Sequence, residues 1–342
     1  MLDAVFGALE SLGWDDRVAA LFAEITRPGV VPARVVRVER SACVVATSTG
    51  DHLARASILP AVGDWVLASF DGDDAAIVTI AEPWSVLSRR DPEGRVQVLA
   101  ANVDIVLVTA PADRLSPARV ERETVIAWDS GARPVVIVTK SDLAAPGLVE
   151  DLRSRLVGVA VVATSAATGA GLDEVRALLQ PCRTAVLLGP SGAGKSSFVN
   201  ALLGEARLAA GEVRAGDHRG RHTTTSRQLL VVPGGGVVID TPGLRSLALA
   251  GDGDGVAAAF ADIEDVARGC RFGDCAHMTE PGCAVMAAVS SGVIDPERLS
   301  SYRKVRREIS FETRRDDPLA RRQAARVWKA RTKANRNLPK KR

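Results

Sequence analysis

From Val30 to about Trp84, apolar and polar positions alternate in short bursts: Ala33–Val38, Cys43–Ala46, Asp51–Ala56, Val62–Leu67 and Ala76–Ile80. Turn residues at Thr49-Gly50-Asp51, Pro60 and Asp71-Gly72-Asp73 separate them. Period-two runs of this length predict β-strands, and about five of them in so short a stretch predict a small barrel. An OB-fold is the commonest such module, and an SH3-like barrel has the same strand texture. Residues 1–29 ahead of it form a weakly helical, mixed-polarity extension. Residues 85–100, with three Arg, one Asp and one Gly, read as a linker.

The period changes over residues 101–250. Continuous apolar runs at Asp104–Thr109, Val135–Val138, Val159–Thr164, Thr184–Leu188, Leu229–Val232 and Val237–Ile239 alternate with helical stretches around 116–130, 147–157 and 171–180. Strand–helix alternation with strands apolar throughout predicts a parallel sheet covered on both faces. Residues 251–310 hold a Cys/His cluster followed by charged helices, and residues 311–342 a basic tail. The fold class expected is therefore multi-domain α/β: an N-terminal OB-fold β-barrel, a central α/β domain and a small C-terminal α-helical domain.

With 46% hydrophobic and 25% charged residues among 342, the chain lies in the ordinary globular range. No run approaches the roughly 18–20 uninterrupted apolar residues of a membrane span, so no membrane partner is expected. The first thirty residues carry Asp3, Glu10, Asp15 and Asp16 and no basic segment leading into an apolar run, unlike a secretory signal. Five cysteines, an odd and low count, speak against a disulfide scaffold and for a reducing cytoplasm. The net charge of +3 conceals an asymmetry. Arg303 to Arg342 holds 16 basic and 4 acidic residues, which leaves the preceding body at −9. A basic tail on an acidic body suits a polyanion, although a charge run is also compatible with a solvated helix face. Trp328 lies within that tail, where base stacking and core packing are both open.

Gly189-Pro190-Ser191-Gly192-Ala193-Gly194-Lys195-Ser196 fits G-x-x-x-x-G-K-[ST] and follows the apolar strand ending at Leu188, with a helical stretch from Ser197 after it. Glycines let backbone N–H groups converge on phosphate oxygens. The lysine reaches the β- and γ-phosphates, and the serine hydroxyl binds Mg²⁺. Asp240-Thr-Pro-Gly243 ends the strand Val237–Ile239; its Asp can hold Mg²⁺ through water and its Gly N–H can sense a γ-phosphate. Between them lies Gly220-Arg-His222-Thr223-Thr224-Thr225. It is suited to closing over the metal and γ-phosphate through Thr224 or Thr225, and a threonine run is equally an exposed β-edge in other contexts. Thr139-Lys140-Ser141-Asp142 follows a strand, as N-K-x-D does, and Thr164-Ser165-Ala166 follows the next, as a base-contact loop would. Asp142 would accept two hydrogen bonds from the guanine edge. Leu244 stands where many GTPases place the glutamine that orients the attacking water. His222 is the candidate replacement, with structural packing of the same segment as the alternative.

Cys270-x4-Cys275-x-His277-x5-Cys283 sets three thiols and an imidazole within fourteen residues, the donor set of a closed, structural Zn²⁺ site. Cys43 and Cys182 lie in apolar surroundings and read as core thiols.

In ordinary GTPases the base-recognition motifs follow the phosphate loop; here they precede it, and the two switch segments come last. On this permuted order and these motifs, the sequence resembles the RsgA/YjeQ family of small-ribosomal-subunit-dependent GTPases over about residues 30–310. One position departs from the family pattern, since Thr139 stands where the family has an Asn that braces base and phosphate loop. The resemblance implies an OB-fold, a circularly permuted P-loop GTPase domain and a C-terminal zinc-binding domain, with Cys270, Cys275, His277 and Cys283 on zinc. It implies GTP and GDP as ligands, Mg²⁺ bound with GTP by Ser196 and Thr224, and Lys195 and His222 in catalysis. Nucleotide contacts are expected from Thr139–Asp142, Thr164–Ala166, Gly189–Ser197, Thr224, Thr225, Asp240 and Gly243. It further implies a cytoplasmic, monomeric factor of late small (30S) subunit assembly that binds 16S rRNA and is released on GTP hydrolysis. Two other classes fit less of the sequence: a large-subunit assembly GTPase with the same motif order, and a GTP-regulated RNA-binding scaffold with negligible catalysis.

Overall fold

The computed structural model describes residues 9–23, 28–39, 42–57, 60–72, 74–90, 96–208, 227–240, 247 and 253–316. The five short strand runs form β1 (Val30–Val38), β2 (Cys43–Thr47), β3 (Gly50–Arg55), β4 (Trp65–Asp71) and β5 (Asp74–Ile80). They pair in the order β1-β2-β3-β5-β4, and β4 returns to β1 from Val30↔Ser69 to Arg34↔Trp65. This closed five-stranded barrel with a parallel β3–β5 pair is the OB-fold arrangement. The N-terminal extension has a job that its polarity did not suggest. Helix α1 (Asp16–Ala23) sets Val18 and Phe22, with Leu9 and Trp14, against Trp65, Leu67 and Ala81 of the barrel.

The stretch expected to be a linker is instead an antiparallel hairpin, β6 (Val86–Arg90) and β7 (Val96–Ala101). Its polar residues carried the linker reading, but Leu87, Leu99 and Ala100 are buried in the main core. A few inward apolar side chains decide such a segment, whatever its mean polarity.

The central domain is built from β8 (Ile105–Pro111), α2 (Pro117–Asp129), β9 (Arg133–Thr139), α3 (Leu148–Arg155), β10 (Ala160–Ala163), α4 (Leu172–Leu178), β11 (Thr184–Leu188), α5 (Lys195–Leu203), β12 (Arg227–Val231) and β13 (Val237–Asp240). The sheet order is β10-β9-β8-β11-β13-β12, parallel except for β12. One face is covered by α4 and α5 through Val175, Leu179, Phe198 and Leu202. The other is covered through Val120, Ile126 and Leu152 of α2 and α3. The edge strand β12 pairs antiparallel with β1 at Arg37↔Gln228 and Val38↔Arg227, so barrel and central sheet form one eleven-stranded sheet.

Of the C-terminal helices α6 (Asp254–Ala259), α7 (Ala261–Ala267), α8 (Ala284–Ser290) and α9 (Pro296–Asp316), α6 and α9 pack on α2, while α7 packs on α6 and α8. Val256, Phe260, Ile263 and Tyr302 enter the same core as the central domain. Gly255 is needed where α6 meets α2, because a Cβ there would collide with the Val125 carbonyl and with Asp129. Fully buried Glu121 of α2 accepts hydrogen bonds from Arg155 (2.7 Å) and Arg298 (3.1 Å), and Arg298 also binds Asp262 at 2.6 Å. A buried carboxylate is tolerable because two guanidinium groups converge on its Oε1.

Candidate functional site

Strand β11 ends at Leu188 in the middle of the sheet, between β8 and β13, and the chain turns there into the glycine-rich loop. Thr109 of β8 donates its hydroxyl to the Leu188 carbonyl (3.0 Å), and any side chain at Gly189 would collide with Thr109. Gly192 and Gly194 have φ of 70° and 82°, in the left-handed region that favours glycine. Gly194 leads into α5, whose first-turn N–H groups lack intrahelical acceptors and form an anion site. Lys195 arches back and donates to the Gly189 and Pro190 carbonyls at 2.8 and 2.7 Å. Ala193 is buried, Ser196 is half-buried beside Lys195, and Ser191 and Ser197 are exposed.

Asp240, at the end of β13, is half-buried; burial pushes its carboxyl above the usual range while Lys195 pulls it down. Behind the loop, Glu123 of α2 is 7% exposed, and burial pushes its carboxyl up to about 7 against the opposing pull of Arg119 and Lys195. Arg119 Nη1 lies 3.7 Å from Glu123 Oε1.

Strand β9 delivers Thr139 into the same cleft. Its hydroxyl, buried, donates to the carbonyl of Ala193 in the phosphate loop at 2.6 Å. Lys140 takes a left-handed φ of 55° and its ammonium binds Asp113 at 2.7 Å. The Lys140 ammonium, hydrogen-bonded to Asp113, holds that carboxyl below its ordinary range. Ser141 begins a short 3₁₀ turn through Leu143 that presents Asp142 to solvent. The Ser141 N–H donates to the Thr164 carbonyl (3.0 Å), which joins the base loop to the next one. There Ser165 is buried and accepts from the Thr168 N–H, while Ala166 is exposed.

Thr139–Asp142, Thr164–Ala166, Gly189–Ser197 and Asp240 therefore converge at the carboxyl ends of β9, β10, β11 and β13, the edge where open α/β sheets bind ligands. His222, Thr224, Thr225, Gly243, Leu244 and the tail from residue 317, Trp328 included, lie outside the described residues. Sequence reasoning missed Asp113 and Arg114, which follow β8 in a 3₁₀ turn (Ala112–Arg114). Arg114 donates to the Ser191 carbonyl at 3.0 Å. A charged pair directly after an apolar strand was the available signal.

The second candidate centre is the Cys/His cluster. The ligand atoms of Cys270, Cys275, His277 and Cys283 all lie within 4.8 Å of one another. Cys270 Sγ stands 3.9 Å from Cys283 Sγ, and His277 Nδ1 stands 3.6 and 3.5 Å from these two sulfurs. Zn–S bonds of about 2.3 Å put neighbouring sulfurs of a tetrahedron about 3.8 Å apart, close to the spacing of Cys270, Cys283 and His277, so the cluster could hold a four-coordinate Zn²⁺. Support around the ligands is also in place. Met286 N–H donates to Cys283 Sγ (3.4 Å) at the start of α8, and the Glu280 carboxylate accepts from the N–H groups of Ala276, Met278 and Thr279.

A phosphate loop on the central strand, base loops on strands that precede it in the chain, an OB-fold ahead and a Cys₃His cluster behind define the class: a circularly permuted P-loop GTPase. The profile of the RsgA GTPase family matches residues 80–250, and the chain belongs to that family. It is 44% identical over 340 residues to the small ribosomal subunit biogenesis GTPase RsgA of Streptomyces coelicolor, covering 95% of this chain and 93% of the relative. The protein of the same name from Opitutus terrae is 42% identical over 348 residues, covering 94% and 95%. The crystal structure of YjeQ from Thermotoga maritima superposes with a TM-score of 0.62 at 25% identity, over 82% of this chain and 98% of that one. The fold is also that of YloQ, described as a circularly permuted GTPase, with a TM-score of 0.60 at 24% identity over 84% and 98%.

Proposed function

We propose that the protein is a Mg²⁺-dependent GTPase that acts in biogenesis of the small ribosomal subunit, binds 16S rRNA there and is released when GTP is hydrolysed. The observation that carries this reading is the convergence of base loops and phosphate loop on one sheet edge in a chain whose full-length relatives bear that name. Asp142 reads the guanine edge, while Ser141 and the Thr164–Ala166 loop flank it. The amides of Gly189–Ser197 and the Lys195 ammonium hold the β- and γ-phosphates; on binding, Lys195 exchanges the Gly189 and Pro190 carbonyls for phosphate oxygens. Ser196 and Thr224 would hold Mg²⁺ and Asp240 a water on it, while Thr225 and Gly243 would contact the γ-phosphate. Bound by these residues, Mg²⁺ would supply positive charge to offset the negative charge that grows on the phosphate oxygens. His222 orients the attacking water in place of the glutamine that Leu244 replaces. Cys270, Cys275, His277 and Cys283 hold a structural Zn²⁺, and the basic tail adds polyanion affinity. The protein works as a cytoplasmic monomer; among the described residues no helix is long and apolar enough to cross a membrane.

Steady-state GTP hydrolysis, measured at one fixed salt concentration alone and with purified small or large ribosomal subunits, tests this reading. Salt is held constant because phosphate contacts make RNA association steeply salt-dependent. Stimulation by the small subunit alone is expected. Stimulation by the large subunit instead would make it a large-subunit factor, and tight GTP-dependent RNA binding without multiple turnover would make it a scaffold.

A further inference from the structure

Strand β8 lies between β9, which carries the base loop, and β11, which carries the phosphate loop. The turn at its carboxyl end therefore has one half of the nucleotide site on each side. Two consecutive residues of that turn grip the two halves: Asp113 Oδ2 accepts from Lys140 Nζ at 2.7 Å, and Arg114 Nη2 donates to the Ser191 carbonyl at 3.0 Å. We propose that Asp113 and Arg114 form a clasp that fixes the separation of base loop and phosphate loop, and so act as positioning residues for nucleotide binding. This rests on the reading of the cleft as a guanine-nucleotide site.

The physical reason lies in the ligand. A guanine nucleotide has a fixed span from base to phosphates, so it binds best when the two loops already stand at that span and no ordering cost is paid on binding. The buried Thr139–Ala193 bond joins the loops at the floor of the cleft, and the clasp joins them at its rim. A 3₁₀ turn is short and internally hydrogen-bonded, and adjacent residues in it cannot move apart. Pulling on Lys140 from one side is thereby felt at Ser191 on the other. Asp113 and Lys140 are about one-third exposed, so the pair adds little to global stability. Its contribution appears in affinity for a ligand that touches both loops.

Isothermal calorimetry on the full chain, with Mg²⁺ present, separates the outcomes. Asp113→Ala is expected to raise the Kd of both GTP and GDP about tenfold, the size of one charge-assisted hydrogen bond. In turnover it raises KM by the same factor and leaves kcat within about twofold, because the contact is the same in ground and transition states. Inorganic tripolyphosphate touches the phosphate loop only, and its Kd is expected to stay as in the wild type. Asp113→Glu restores part of the GTP affinity. Combining Asp113→Ala with Lys140→Ala adds nothing to the more severe single change, since both break one contact. Arg114→Met weakens GTP and GDP, while Arg114→Lys, which still donates to a carbonyl, weakens them less. Equal GTP affinity in Asp113→Ala and wild type overturns the clasp, as does a parallel loss of tripolyphosphate binding. A wild-type chain that binds no guanine nucleotide overturns the site reading itself, and the clasp falls with it.

Discussion

Thr139 shows how one short side chain can tie two loops of a cleft together: from a buried position its hydroxyl reaches the Ala193 carbonyl at 2.6 Å. Thr139→Val keeps the shape and leaves that buried carbonyl without its donor. GTP and GDP affinity should fall about tenfold, roughly 1.4 kcal/mol, while Thr139→Ser stays near wild type in the same titration. Glu123 is a residue of a different kind, a carboxyl whose burial lifts it from 4.5 to about 7. Folded protein therefore holds this proton more tightly than unfolded chain. The associated stability is fully present below about pH 4.5 and is lost as pH rises through about 7, by at most roughly 3 kcal/mol. Melting temperature should fall between pH 5 and 7.5, and Glu123→Gln, which cannot ionise, should flatten that slope. An unchanged slope in the variant would assign it to other groups, with Asp64, pushed up to about 6 by burial, the next candidate.

At the scale of elements, the C-terminal helices are held by two independent devices. Phe260, Ile263, Tyr302 and Val305 bury their apolar surface against the central domain, and across the seam Glu121 pairs with Arg298 and Arg155 with Asp295. Arg122 adds a third strand of the same tie, binding Glu308 of α9 and the Leu247 carbonyl. The Cys₃His loop adjoins this seam, with the His277 ring 6.1 Å from that of Tyr302, and has few apolar side chains of its own. Metal binding in such a loop is folding free energy, and the ligands must be deprotonated to supply it. Removing zinc with a chelator should raise amide exchange over residues 268–290 by an order of magnitude or more, while α9 and nucleotide affinity stay near the holo values. Loss of protection across α9 as well would show that the metal, and not the apolar seam, holds the helices.

For the molecule as a whole, the consequence of permutation is where the chain ends up. The strand after the hydroxyl-rich segment, β12, is bonded to β1 of the barrel, and β13 leads toward the C-terminal helices. Both flanking domains thus attach next to the segments that follow the phosphate loop. The barrel is further tied by fully buried Arg34 of β1, which donates to the Leu12 carbonyl and, at 2.7 Å, to the Thr184 hydroxyl at the start of β11. Beside it Asp104 accepts from Arg17 at 2.7 Å and from the Thr184 N–H at 2.8 Å. Burial lowers the Arg34 guanidinium to about 10, yet it remains a cation at neutral pH, satisfied by carbonyl and hydroxyl oxygens. The strand that carries the phosphate loop is therefore anchored at its far end to the barrel.

Local patterns were enough to place the barrel strands, the alternating α/β elements, the phosphate loop and the four zinc-type ligands, because each is encoded by spacing within a few residues. The Gly189–Ser196 loop needs glycines at set positions whatever surrounds it. Other features depend on partners distant in the chain, and no local pattern reports them. The 85–100 hairpin is a strand pair because Leu87 and Leu99 find a core. Thr139 braces Ala193 across 54 positions, and Arg34 finds Thr184 across 150. Asp113 and Arg114 matter because the sheet order puts β8 between the two strands that carry the site, a relation that exists only once the sheet has assembled.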